Sequence, residues 1–169
     1  NNNTILAAER SVLNILQSLS GIATMTKRFV EILDGYRVRI LDTRKTTPGL
    51  RALEKYAVAR GGGWNHRFGL FDRVLIKDNH LLAKDAHEGR ALKEAITMAK
   101  LSAPDLLVQV EVDRLDQISP ALEARPDALL LDNFSIEELR EGIAIIDSMA
   151  ITEASGNITL ENARRYKEL

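Results

Sequence analysis

The chain has 169 residues, 45% of them apolar and 28% charged, enough for one buried core in a single domain or a piece of a larger one. With 23 Lys and Arg against 24 Asp and Glu the net charge is -1, so no whole-molecule field favours nucleic acid or a membrane surface, and any binding charge has to be local. The absence of cysteine removes disulfides, thiolate metal ligands and a thiol nucleophile, and suits a cytoplasmic setting. No apolar run approaches the roughly 20 residues that span a bilayer, and the start, Asn1-Asn2-Asn3, has no basic region leading into an apolar one, so neither a signal peptide nor an anchor is expected.

From Ile5 to Leu33, Leu16, Leu19, Ala23, Val30 and Leu33 recur on a helical stripe, which predicts one long or two short helices with Ser20-Gly21 as a close-packing point or break. Arg37 to Leu41 alternates Arg-Val-Arg-Ile before turning apolar, and Val38 to Leu41 reads as a strand. Thr47-Pro48 offers an N-cap and a first-position proline for a helix carrying Leu50, Leu53 and Ala57, ended by Gly61-Gly62-Gly63. Val74 to Ile76 is a short buried strand, and Leu92, Ala95, Ile96 and Ala99 follow the spacing of an amphipathic helix closed by Pro104.

Leu106 to Val112 is the clearest strand and Ala128 to Leu131 another, both apolar enough to be covered on two faces. Between them Leu115, Ile118 and Leu122 are at helical spacing, and Ser119-Pro120 is placed to begin the helix, because proline is tolerated only in the first turn. Ser135 and Glu138 form a capping box ahead of Ile136, Leu139, Ile143 and Ile146, which predicts a helix. A strand from Ile151 to Ala154 leads through Ser155-Gly156-Asn157 to a final helix capped by Thr159. Repeated strand-helix units predict an α/β fold with a parallel sheet, open or curled into a barrel. The segments are leading helices at 1–34, strand-helix units at 37–158 and a closing helix at 159–169.

In parallel sheets the residues just past each strand gather at one edge, where such folds hold ligands. Here they are Arg44 and Lys45, then Lys77 and Asp78, Glu111 and Asp113, Asp132 and Asn133, Ser155 and Gly156. Cations at the first two ends suit carboxylates or phosphates; carboxylates at the next two suit Mg²⁺ or developing positive charge. A phosphorylated sugar reacting through a cation-like centre needs both. Arg44-Lys45 also reads as ordinary solvent charge, and Ser155-Gly156-Asn157 as either a turn or a phosphate loop. Glu111 and Asp132 continue apolar runs, where an isolated carboxylate needs a partner or a metal. His87 lies in a charged amphipathic stretch and receives no role.

Seven blocks carry a resemblance: LNILQSLSGIAT (Leu13 to Thr24), LDTRKTTPGLR (Leu41 to Arg51), the Gly61 to Arg67 loop, IKDNH (Ile76 to His80), VQVEV (Val108 to Val112), LLLDNF (Leu129 to Phe134) and EASGNI (Glu153 to Ile158). In this order and over nearly the whole chain, they resemble the quinolinate phosphoribosyltransferase family. The resemblance implies an incomplete open α/β barrel whose N-terminal domain and C-terminal end lie outside this chain. It implies transfer of phosphoribosyl from phosphoribosyl pyrophosphate to quinolinate with decarboxylation, giving nicotinate mononucleotide for NAD synthesis. Arg44, His66, Arg67 and Lys77 would bind the quinolinate carboxylates and Lys45 the pyrophosphate end of the donor. Glu111 and Asp132 would hold Mg²⁺ or the ribose hydroxyls, and Ser155, Gly156 and Asn157 would face the 5′-phosphate. Lys45, Lys77, Glu111 and Asp132 are thus the expected catalytic set, in a homodimer with sites completed across subunits. Two rivals remain at this stage: a non-catalytic module for phosphate-bearing ligands, and a pyrophosphorylase-like relative linked to molybdenum transport, against which Arg44, His66 and Arg67 together argue.

Overall fold

A computed structural model describes residues 2–77 and 89–169; Asp78, Asn79, His80 and His87 lie outside the described residues. The chain divides into two compact units, one running to Phe68 and including Leu160–Lys167, the other spanning Gly69–Thr159 with Glu168–Leu169.

In the first unit, helix α1 (Asn2–Ile32) is unbroken. Ser20-Gly21 is neither a break nor a packing point: the helix continues through it, and a Cβ on Gly21 would meet nothing within 4 Å. Helix α2 (Arg51–Arg60) packs on α1. The approach is close because a Cβ on Gly61 would lie 2.5 Å from the Ala23 carbonyl oxygen. α2 starts later than Thr47-Pro48 suggested. Gly49, at φ +80, turns the chain out of helical geometry, so Pro48 to Leu50 form a turn and Leu50 stands at the N-cap without a side-chain cap. The buried stripe also differs: Leu53 is 42% exposed, whereas Lys55 and Ala57 are buried. Val38 to Leu41 is not a strand. Among the described residues it forms one parallel bridge, Leu41 to Trp64, with the Trp64 N–H donating to the Ile40 carbonyl at 2.8 Å and the Asp42 N–H to the Trp64 carbonyl at 3.1 Å. A short 3₁₀ segment, Ala163–Glu168, stands where a helix capped by Thr159 was expected.

In the second unit, β1 (Val74–Ile76), β2 (Val108–Val112), β3 (Ala128–Asp132) and β4 (Ile151–Ser155) form a parallel sheet in chain order. The α/β class and the parallel sheet expected from the alternating pattern are present. Helix α3 (Gly89–Ser102) packs on β1 and β2, and α5 (Ile136–Ile146) on β4. Between β2 and β3 a 3₁₀ turn, Leu115–Gln117, runs into α4 (Ile118–Glu123). Pro120 therefore sits in the first turn of α4, where its missing N–H breaks no helical bond. Ser135 caps α5 as expected: its hydroxyl accepts from the Glu138 N–H and the Glu138 carboxylate accepts from the Ser135 N–H. The Ser135 N–H bond to the Glu138 carboxylate, with a smaller contribution from the Ser135 side chain, holds that carboxyl below its ordinary pKa.

The strand faces are unequal, which corrects the reading of β2 and β3 as covered alike. In a parallel ladder paired residues share a face, and side chains alternate along each strand. Val108, Val110, Leu129 and Leu131 fall on one face, are fully buried, and form the core with Ile96, Ile118, Leu139 and Ile146. The register puts Leu75 beside Gln109, Glu111 beside Leu130, Leu130 beside Glu153, and Asp132 beside Ser155 on the opposite face. That face carries the polar groups.

Candidate active site

The second unit presents its polar face at the C-terminal ends of the strands. Lys77, directly after β1, donates to Glu111 Oε2 on β2; the two side chains are 41% and 14% exposed. Asp132 and Ser155 are the last residues of β3 and β4 and lie in register. The Ser155 hydroxyl donates to Asp132 Oδ1, and Asn133 Nδ2 donates to Oδ2 at 2.8 Å. The turn after β4 is tight against the turn after β3. Gly156 has φ +97, and a Cβ there would lie 2.1 Å from Asn133 Oδ1, so only glycine fits. Asn133 and Asn157 are also left-handed, at φ 59 and 52, and Asn157 Nδ2 donates to Asn133 Oδ1 at 3.4 Å.

Beneath these groups lies a second polar cluster that the sequence reading missed. Arg73 donates to Gln109 Oε1 and to Glu153 Oε1, each at 3.1 Å, and Gln109 Nε2 donates to Glu153 Oε2 at 2.6 Å. Gln109 is fully buried. The signal was present, since Val-Gln-Val-Glu-Val alternates strictly and so marks one polar face.

The first unit holds the other expected cations. Arg44 is half-buried, and its Nε is buried without a hydrogen-bond partner. Lys45 is exposed, its N–H donating to the Thr43 hydroxyl at 3.1 Å. Arg51 shapes this loop, with Nη2 donating to the Arg44 carbonyl at 3.3 Å, Nε to the Thr46 hydroxyl at 3.2 Å and Nη1 to the Phe68 carbonyl at 3.1 Å. His66 and Arg67 are half-buried. The His66 N–H donates to Asp42 Oδ1 at 2.8 Å, and its carbonyl accepts from Lys55 Nζ at 3.0 Å. Sequence reasoning passed over Asp42, Lys55 and Arg51, because nothing local says that a lysine within a helix is buried.

Of the expected set, Lys77, Glu111, Asp132 and Ser155 thus share one face of the sheet, with Gly156 and Asn157 in the turn after it. Arg44, Lys45, His66 and Arg67 belong to the first unit. Glu111 and Asp132 lie within their strands rather than after them, with side chains set by the ladder.

Comparison with known proteins bears on the same elements. The family profile described as quinolinate phosphoribosyl transferase, C-terminal domain, matches residues 22–169. The nicotinate-nucleotide pyrophosphorylase (carboxylating) of Mycobacterium leprae is 45% identical over 165 residues, covering 96% of this chain and 56% of that protein. A quinolinate phosphoribosyltransferase (decarboxylating) of Nicotiana glauca is 39% identical, over 95% of this chain and 49% of that protein. The crystal structure of NadC from Streptococcus pyogenes superposes with a TM-score of 0.88 at 44% identity, covering 98% of this chain and 56% of that one. The chain spans about half the length of the curated relatives it matches. With a profile match over most of its residues and a polar strand-end face where the motifs fall, the chain belongs to the quinolinate phosphoribosyltransferase family, in the part that forms the C-terminal domain.

Proposed function

We propose that this chain carries the catalytic face of an enzyme that moves phosphoribosyl from phosphoribosyl pyrophosphate to the ring nitrogen of quinolinate. The products are nicotinate mononucleotide, CO₂ and pyrophosphate. The observation that carries the reading is the pairing of Lys77 with Glu111 and of Asp132 with Ser155 on one face of the sheet, at its C-terminal edge. As pyrophosphate leaves, the ribose carbon gains oxocarbenium character, and Glu111 and Asp132 would stabilise it through fixed negative charge. Arg44, His66, Arg67 and Lys77 would hold the acceptor's carboxylates and so aim its nitrogen at that carbon. Lys45 would meet the pyrophosphate, and Ser155, Gly156 and Asn157 the 5′-phosphate.

Among the described residues no three of His, Cys, Asp and Glu converge on one point. Mg²⁺ nonetheless suits the two carboxylates, because it is held by one or two protein carboxylates with the rest of its shell from water and substrate oxygens. Glu111 and Asp132 would hold it, and it would offset charge on the leaving pyrophosphate. A homodimer in the cytoplasm is the setting proposed; among the described residues no helix is long and apolar enough to cross a membrane.

Calorimetry on the chain with quinolinate, alone and with the sugar donor and Mg²⁺, tests the reading. Binding that is lost in Lys77→Met and Arg44→Met, with nicotinate mononucleotide formed by the longest gene product containing this sequence and not by its Glu111→Gln variant, is the expected result. Donor binding with no product from that gene product would favour a non-catalytic phosphate-ligand module, and failure to bind quinolinate would refute the acceptor.

A further inference from the structure

The Asp42–Lys55 pair has no place in the chemistry proposed above, yet it is deeply buried. Its charged atoms lie 2.5 Å apart, and the side chains are only 8% and 4% exposed, respectively. Buried ion pairs are weak evidence for stability, because desolvation offsets much of the attraction; their best-attested use is to fix one arrangement among several. What this pair fixes is visible in its remaining bonds. Asp42 Oδ1 accepts the His66 N–H and Lys55 Nζ donates to the His66 carbonyl, so both backbone polar groups of His66 are held by one ion pair. Asn65, in the amide orientation that satisfies its own hydrogen bonds, donates to Asp42 Oδ2 at 2.8 Å and to the Lys55 carbonyl at 3.0 Å. Trp64 is bridged to the segment just before Asp42. Three consecutive residues ahead of Arg67 are thus fastened to the segment that continues into Arg44 and Lys45. A single-bridge contact without a sheet ladder has little else to set its register.

We infer that Asp42 and Lys55 are positioning residues for anion recognition: together they lock the His66–Arg67 loop to the Arg44 segment, so that their cations are held in one arrangement before a ligand arrives. Neither would touch the ligand. The identity of that ligand as a pyridine dicarboxylate rests on the proposed function, whereas the lock itself does not. An apolar pair of the same size would fill the space without orienting the His66 peptide. Preorganisation of this kind lowers the ordering cost of binding, so its loss should appear in affinity.

The test uses the chain with Asp42→Glu, and the double variant Asp42→Asn/Lys55→Met, which leaves no buried charge unpaired. Exchange of the His66 amide by NMR and quinolinate affinity by calorimetry are read together, with ribose 5-phosphate as the control ligand. In the double variant His66 exchange should quicken and quinolinate affinity fall, each by about tenfold, the worth of a hydrogen bond to a charged group; ribose 5-phosphate affinity should stay within about twofold. Asp42→Glu, which keeps both charges and only displaces the carboxylate, should fall between, and decides the matter should the double variant not fold. Unchanged exchange and affinity in a folded variant overturn the inference. Faster exchange with unchanged quinolinate affinity also overturns it, by showing the pair to be structural only. A parent chain that fails to bind quinolinate refutes the acceptor assignment instead, and the amide exchange then decides on the lock alone.

Discussion

Removing one charge from the Asp42–Lys55 pair should harm the protein more than removing both. Lys55→Met leaves a carboxylate whose side chain is 8% exposed with only hydrogen-bond donors around it, and breaking a buried pair in this way costs about 3–5 kcal/mol. Asp42→Asn leaves the buried ammonium facing two neutral oxygens and belongs near the low end of that range. The double variant keeps an acceptor for the His66 N–H and gives up the Lys55 bond to the His66 carbonyl, a bond from a charged donor whose loss costs about 1.5–3 kcal/mol. The difference between the double change and the sum of the singles isolates the coupling. Urea unfolding followed by fluorescence is a direct assay, because Trp64 is the one tryptophan and is bridged to Leu41 beside the pair. Lys27–Glu31, with side chains 66% and 60% exposed, is the control: Lys27→Met should cost no more than about 0.5 kcal/mol. A double variant that loses the sum of the two single costs, or a Lys27 change as damaging as the Lys55 change, would refute the reasoning.

Other consequences can be measured separately. Gly156→Ala meets both a φ of +97 and a Cβ 2.1 Å from Asn133 Oδ1 and 2.9 Å from Asn133 Cα, a loss of about 2–4 kcal/mol. Adding Asn133→Ala should recover only part of it, since the backbone contact remains; complete recovery in a thermal melt would show that the backbone is not the obstacle. Ser135→Ala removes the cap of α5 and should cost about 1 kcal/mol, read by circular dichroism, with no change meaning that the cap is idle. Glu138 is depressed in the fold by its bonds to Ser135, so its contribution is complete above the ordinary carboxylate pKa and is lost as pH falls through the lowered folded value. The melting-point advantage of the parent over Glu138→Gln should therefore be largest at neutral pH and shrink on acidification, and a gap independent of pH would contradict this assignment.

The chain announces much of its second unit. The capping box of α5 is local chemistry, the stripe of α3 is periodic, and short apolar runs between helices define the four strands, so neighbours a few residues apart were sufficient. Glu111 and Asp132 were legible as candidate site residues for a related reason: a carboxylate in an apolar run conflicts with burial and demands an explanation. The first unit was harder. Val38 to Leu41 has strand composition, but strand formation depends on a partner ladder, and among the described residues the segment finds a single isolated bridge, at Leu41. Lys55 reads as solvent charge on a helix whose Leu53 should face inward, yet the structure exposes Leu53 and buries Lys55, because Asp42, 13 residues away, supplies the counter-charge. Pairings of that range leave no periodic trace. The Arg73–Gln109–Glu153 cluster spans up to 80 residues and was invisible for the same reason, although the alternation in β2 showed that some polar neighbour had to exist.

Those distant pairings also explain how a sheet can carry five charged groups on one face without the cost of isolated buried ions. Glu153 has one oxygen bonded to Arg73 and the other to Gln109, so its charge is matched beneath the strand ends. Lys77 and Glu111 neutralise each other one layer further along. Asp132 differs: its bonds come from a serine hydroxyl and an asparagine amide, which orient a carboxylate without cancelling its charge. Among the described residues, this face presents at its edge one oriented carboxylate at the end of β3 and an ion pair beside it whose lysine is 41% exposed. A partly exposed pair is held by a weaker net attraction than a buried one. Under the proposed function its two charges would be exchanged for those of an incoming ligand, whereas the Arg73–Glu153 layer beneath it supports the sheet.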